Sequence, residues 1–188
     1  MKYFEDEEIN LSDFDGISEC VGAEFISCTF EGLNLTDFNF KNSKFIECQF
    51  IKCNLSNIQI DGATFRDFSV INSKLVGVNF SNCNSLFQIS FEECLLDYSL
   101  FQQVESSGAS FEKCSLKDVV LSESDFSNAN FSGCNLRGAN FNNSNLSGAD
   151  FRGATEYDID PLFSKVKKAK FSLPEALTLL SALEITVE

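Results

Sequence analysis

Between Asn128 and Ala154 the chain reads NANFSGCNLRGANFNNSNLSGADFRGA, with a large apolar residue at every fifth position: Phe131, Leu136, Phe141, Leu146 and Phe151. A small residue stands two places before each (Ala129, Cys134, Ala139, Ser144, Ala149), and the other places are mostly polar. Helices bury every third or fourth residue and strands every second. A period of five matches neither, so five residues form one unit of a repeating architecture.

The same frame runs from Phe25 through Phe30, Leu35 and Phe40 to Phe80. One residue is then inserted, and the frame resumes at Leu86 and continues to Phe151, with Ser106 as its one polar central residue. Phe14 and Cys20 fit upstream with a second one-residue slip. Two features not used to set the frame support it. All ten glycines stand two residues after a central position, where a tight corner favours a residue without Cβ. From Glu24 to Arg152 no charged residue occupies the central place or the place two before it, so these two places point inward and the other three face water.

Units such as ADFRG, ANFSG, CNLRG and SNLSG make the chain resemble the pentapeptide repeat family, whose motif is small–Asp/Asn–Leu/Phe–Ser/Thr–Gly. The resemblance covers roughly residues 12 to 154. It implies an all-β solenoid, a right-handed quadrilateral β-helix with four units per coil. Residues twenty apart then share a face, and Phe30, Phe50, Val70, Phe91, Phe111, Phe131 and Phe151 are expected to stack as a structural core ladder. The 21-residue step from Val70 to Phe91 absorbs the insertion. About seven coils at ~4.8 Å give a rod roughly 34 Å long, with an interior too full for a pocket. Cys94, Cys114 and Cys134, also twenty apart, are expected as inward thiols that fill space.

Three segments follow: an acidic N-terminal cap over 1–11, the repeat over 12–154, and a C-terminal extension over 155–188. Both prolines lie in the extension. There SLPEALTLLSAL predicts a helix, with Ser172 and Glu175 as a capping box and Pro174 in the first turn. Leu173, Ala176, Leu177, Leu180 and Leu183 make an apolar stripe at helical spacing. A stack of coils needs its open end covered, which this helix can do. The resemblance implies more, because quinolone-resistance and microcin-immunity members of the family pair two rods through such a tail. A homodimer joined by Leu173, Leu177, Leu180 and Leu183 is therefore expected.

Composition narrows the chemistry. The net charge is −14, from 28 acidic and 14 basic residues. The segment through Asp160 carries 25 acidic and 10 basic residues, or −15, and the rest 3 and 4, or +1. Phosphates would be repelled, so direct nucleic-acid binding is not expected. There is no His among the 188 residues and no CxxC among the eight Cys, so neither a His-based acid–base site, a zinc site nor another cofactor is expected. The acidic N-terminus has no apolar run and no window is apolar enough to span a bilayer, so no membrane is expected and a cytoplasmic location with reduced thiols is.

No catalytic constellation is visible, and a non-enzymatic binding protein is expected. The resemblance implies a DNA mimic: a dimeric acidic rod about as wide as a duplex that enters the DNA site of a bacterial type II topoisomerase, gyrase or topoisomerase IV. It would modulate the enzyme or protect it from quinolones or peptide toxins. Glu92, Glu93, Glu112 and Asp150 are the expected anionic partner-binding surface. The alternative is a general interaction scaffold whose partner is unrelated to DNA.

Overall fold

A computed structural model describes residues 2–14, 20–36, 38–181 and 185. Gly16 and Leu183, which the sequence assigns to a corner and to the apolar stripe, lie outside the described residues. The chain winds into a parallel β-solenoid of about 8 turns, roughly 38 Å long. Successive coils pair in register: Phe30 with Phe50, Phe50 with Val70, Val70 with Phe91 and Phe91 with Phe111. The four faces are named here by a central residue of each: the Phe25, Phe30, Leu35 and Phe40 faces. Continuous strands run on the first two, the longest being Thr64–Ile71 and Ser85–Glu92, which turn the corner between them. The other two faces are joined mainly by single bridges, such as Asn54 with Lys74 and Leu100 with Val120.

The inward places hold the core. Phe30, Phe91, Phe111, Phe131 and Phe151 are fully buried and Phe50 nearly so. Ring centroids are 4.0 Å apart for Phe30–Phe50, 5.3 Å for Phe91–Phe111, 5.1 Å for Phe111–Phe131 and 5.0 Å for Phe131–Phe151. Val70 divides this ladder into two runs. The small inward place does more than fill space. Ser43, Ser99 and Ser144 donate hydrogen bonds of 2.7, 2.7 and 2.6 Å to carbonyls of the preceding coil. Cys48, Cys94 and Cys114 do the same through sulfur, to Phe25, Val70 and Phe91. A small side chain with a donor thus satisfies a buried carbonyl that an alanine leaves to the backbone alone.

Among the described residues of the repeat the corner place is left-handed except at Asn82, beside the insertion. Gly77 has φ +70°, and an added Cβ there would lie 2.5 Å from Oδ1 of Asn57, one coil above. Gly22 has the same φ with open space around it. The inserted residue is held by Asn82 and Asn84, which donate to Asp61 Oδ1 at 2.9 Å and to Gly62 O at 2.6 Å.

Both ends of the solenoid extend past the bounds read from sequence. Tyr3–Glu5 and Glu8–Ile9 pair with Glu24–Ile26 and Thr29–Phe30, and the Phe4 ring stacks on Phe25 at 5.0 Å. The segment expected as a cap thus begins the first coil, because Phe4 and Ile9 keep the spacing and the acids around them point outward. At the other end Lys165 bridges to Asn145 and Lys170–Phe171 pairs with Asp150–Phe151, adding half a coil.

The expected capping box does not form. Ser172 Oγ instead accepts from the Gly153 N–H at 2.9 Å, a donor with no further coil beneath it. Pro174 stands at the N-cap without a side-chain cap, a 3-10 turn covers Glu175–Leu177, and the α-helix is limited to Thr178–Ser181. Leu179 packs against the core.

Candidate functional site

With the interior filled, any function must use the outward places. Three surface features stand out: an acidic patch on the Phe30 face, a lysine cluster on the last half-coil, and the apolar tail.

The register brings the expected anionic residues onto one face, which counting along the sequence did not separate from the other three. Glu92 and Glu112 are direct partners on successive coils, and the Glu93 N–H donates to Glu112 O at 3.0 Å. Glu112 has an ion pair with Lys113 at 3.3 Å. Glu92 and Glu93 are exposed and form no ion pair among the described residues. Asp150 shares the face but differs in state. Arg152 Nη2 lies 2.6 Å from its Oδ2 and Lys170 Nζ 3.8 Å away. The Arg152 hydrogen bond holds its carboxyl below the usual range, and the two cations neutralise it locally. Glu92 and Glu93 are therefore the free part of this patch, with Glu112 partly paired.

Other acids are also paired across coils: Glu24 with Lys44 at 2.5 Å, Glu31 with Lys52 at 3.7 Å and Asp61 with Lys41 at 3.3 Å. Glu5, Asp6, Glu7 and Glu8 crowd the first coil, all exposed. Lys165, Lys167, Lys168 and Lys170 are exposed on the last half-coil. The rod is thus acidic at its N-terminal end and basic at its C-terminal end, a polarity that a count over the whole tail conceals.

Of the tail stripe, Leu173 and Leu177 are exposed and Leu180 is half-buried. Burial pushes the Cys48 and Cys134 thiols up to about 12, which leaves them protonated and unreactive. Among the described residues no three His, Cys, Asp or Glu gather to hold a metal, and no helix is long and apolar enough to cross a membrane. A surface concavity of about 630 Å³ near the last coil is lined by Asn142, Asn143, Asp158, Asp160 and Phe163. Those side chains present amides and carboxylates, which bind and orient but include no strong nucleophile.

A family model described as pentapeptide repeats matches 8 copies, over residues 18–57, 28–67 and 120–155. The chain is a pentapeptide repeat protein. Among solved structures, this pentapeptide repeat protein is similar to a trypsin-treated variant of QnrB1, a plasmid-mediated fluoroquinolone resistance protein. The TM-score is 0.66 at 17% identity, over 100% of both chains. A second trypsin-treated QnrB1 variant gives 0.65 at 16% identity, over 99% of this chain and 97% of the other. At such identity the likeness establishes a shared fold. The search of curated proteins finds no match.

Proposed function

We propose that the rod binds a bacterial type II topoisomerase, gyrase or topoisomerase IV, at the surface that receives DNA, and so modulates the enzyme or protects it from inhibitors. The observation that carries this reading is a rigid solenoid built from a stretch of chain whose sequence carries −15 through Asp160, with its described acids on outward places. The end-to-end likeness to a fluoroquinolone resistance protein supports it. Because the coils are locked by in-register backbone hydrogen bonds, the carboxylates keep fixed spacings, as phosphates do on a duplex. Acids on such a frame attract a basic groove over long range, with a strong dependence on salt. Glu92, Glu93 and Glu112 are the part of the surface assigned to that contact, and Asp150 contributes less because Arg152 and Lys170 neutralise it. The exposed Leu173 and Leu177 support pairing of two rods through their tails into a longer anionic body.

Co-precipitation and supercoiling assays with purified gyrase and topoisomerase IV, with and without a quinolone, test the proposal over a salt series. Binding that weakens from low to physiological salt is expected. If neither enzyme binds the protein or changes activity, the reading fails and a scaffold for another partner takes its place.

A further inference from the structure

Tyr98 occupies a place that the repeat reserves for other residues. It is a corner residue with φ +62°, in the left-handed region. Every other non-glycine residue with such a φ among the described residues is Asn, Asp, Gln, Glu, Lys or Ser. A bulky side chain there is conformationally unfavourable, whereas Gly and Asn adopt it readily. The corners above and below, Gly77 and Asp118, follow the rule.

Nothing in the fold compensates. Tyr98 is 60% exposed, its ring meets no other aromatic ring, and its hydroxyl makes no hydrogen bond among the described residues. Its surroundings are equally unusual. Leu95 is 42% exposed and Leu100 37%, on the two faces that meet at this corner. Tyr98 and Leu100 thus put exposed apolar side chains about one convex edge, with Leu95 farther along its own face beyond Asp97, and the exposed carboxylates of Asp118 and Glu123 lie on the next coil, the latter accepting from Gln102 and Gln103. A strained residue retained without a structural return marks a site of function. Aromatic rings ringed by polar groups are the usual anchors of protein interfaces. The carboxylates disfavour a phosphate-bearing partner, and a convex edge fits into a slot.

We infer that Tyr98 anchors the rod on the topoisomerase. Its ring, with Leu100 two places on, enters an apolar slot whose rim carries Arg or Lys side chains that meet Asp118 and Glu123. This rests on the function proposed above and names the residue that supplies affinity where the distributed charge supplies attraction. Burial of the ring does not depend on ionic strength, so the anchor contributes at every salt concentration.

The test compares wild type, Tyr98→Asn and Tyr98→Phe by thermal melting and by titration against purified gyrase and topoisomerase IV at low and high salt. Asn already fills this corner place in the repeat at Asn72, above Glu93. Tyr98→Asn is expected to melt at or above the wild-type temperature and to lose about tenfold or more in affinity at both salt concentrations. Tyr98→Phe is expected to bind as wild type does. Tyr98→Asn binding within about twofold of wild type overturns the anchor and leaves the topoisomerase reading standing. Melting of Tyr98→Asn several degrees below wild type also overturns it, because the ring would then belong to the fold. If wild type binds neither enzyme, both readings fall together.

Discussion

Glu92 and Glu112 stand at the same outward position on successive coils, and of the two only Glu112 has an ion-pair partner among the described residues, Lys113 at 3.3 Å. Like charges directly opposed across a ladder are destabilising by a few tenths of a kcal/mol. Glu92→Lys replaces that repulsion with a cross-coil pair. It is expected to raise stability to urea by up to about 0.5 kcal/mol while weakening binding to a basic partner. A loss of stability on that substitution would mean that Glu92 holds the coil in a way the register does not account for.

The contrast between Phe111 and its neighbour Glu112 tests the register itself. Phe111 is fully buried between the rings of Phe91 and Phe131, at 5.3 and 5.1 Å. Phe111→Ala removes both contacts and is expected to cost about 3–5 kcal/mol, and Phe111→Asp to prevent folding. Glu112→Lys is expected to stay within about 0.5 kcal/mol of wild type. Circular dichroism melts of the three variants measure this, and similar melting of Phe111→Ala and Glu112→Lys would contradict the inward and outward assignment.

Much of this was readable in the sequence, and the exceptions have physical causes. The ladder from Phe30 to Phe151 follows from spacing alone, because a buried place tolerates no charge. The first coil was obscured because Phe4 and Ile9 sit among Glu5, Asp6, Glu7 and Glu8, with no glycine to mark a corner. The last half-coil was obscured because Glu156 and Pro161 fall where large apolar residues belong. Ser172 looked like a helix cap, since nothing local reveals that Gly153 needs an acceptor. Asp150 looked like a free acid until the coil placed Lys170 beneath it and folded Arg152 back onto it. Tyr98 carried a usable signal, a bulky residue at a place otherwise held by Gly and polar side chains.

Gly77 and Gly22 share a left-handed φ but not their surroundings. At Gly22 an added methyl meets nothing within 4 Å, so Gly22→Ala is expected to cost only the backbone term, about 1–2 kcal/mol. At Gly77 the methyl would press against Asn57 Oδ1 at 2.5 Å, so Gly77→Ala is expected to cost more. Adding Asn57→Gly, which removes the amide at a corner that is itself left-handed, should recover part of that excess. Urea titration of the two single variants and the double variant checks it; equal costs at both glycines would show that close approach plays no role.

The buried thiols predict a response to alkali. Burial raises Cys48, Cys83 and Cys134 from the ordinary value of 9.0 to about 12. Below pH 9 both folded and unfolded chains keep these protons. Between about 9 and 12 the unfolded chain releases protons that the folded chain holds, so stability falls as pH rises through that window, by up to about 1.4 kcal/mol per pH unit for each thiol. The urea midpoint is expected to drop from pH 8 to pH 10. Cys48→Ser, which keeps a donor for the Phe25 carbonyl, is expected to show a shallower drop. A midpoint unchanged between the two pH values would contradict the burial of these groups.

If this rod takes the place of DNA on a topoisomerase, as proposed, it must displace a duplex from the enzyme. The most direct measurement is displacement of a fluorescently labelled duplex from purified gyrase or topoisomerase IV, followed by anisotropy as the protein is added. Progressive release of the duplex is expected, with a displacing concentration that rises with salt and rises further for a combined Glu92→Lys, Glu93→Lys and Glu112→Lys variant. Duplex that stays bound to both enzymes at saturating protein, or release that is indifferent to those three charges and to salt, would contradict the account.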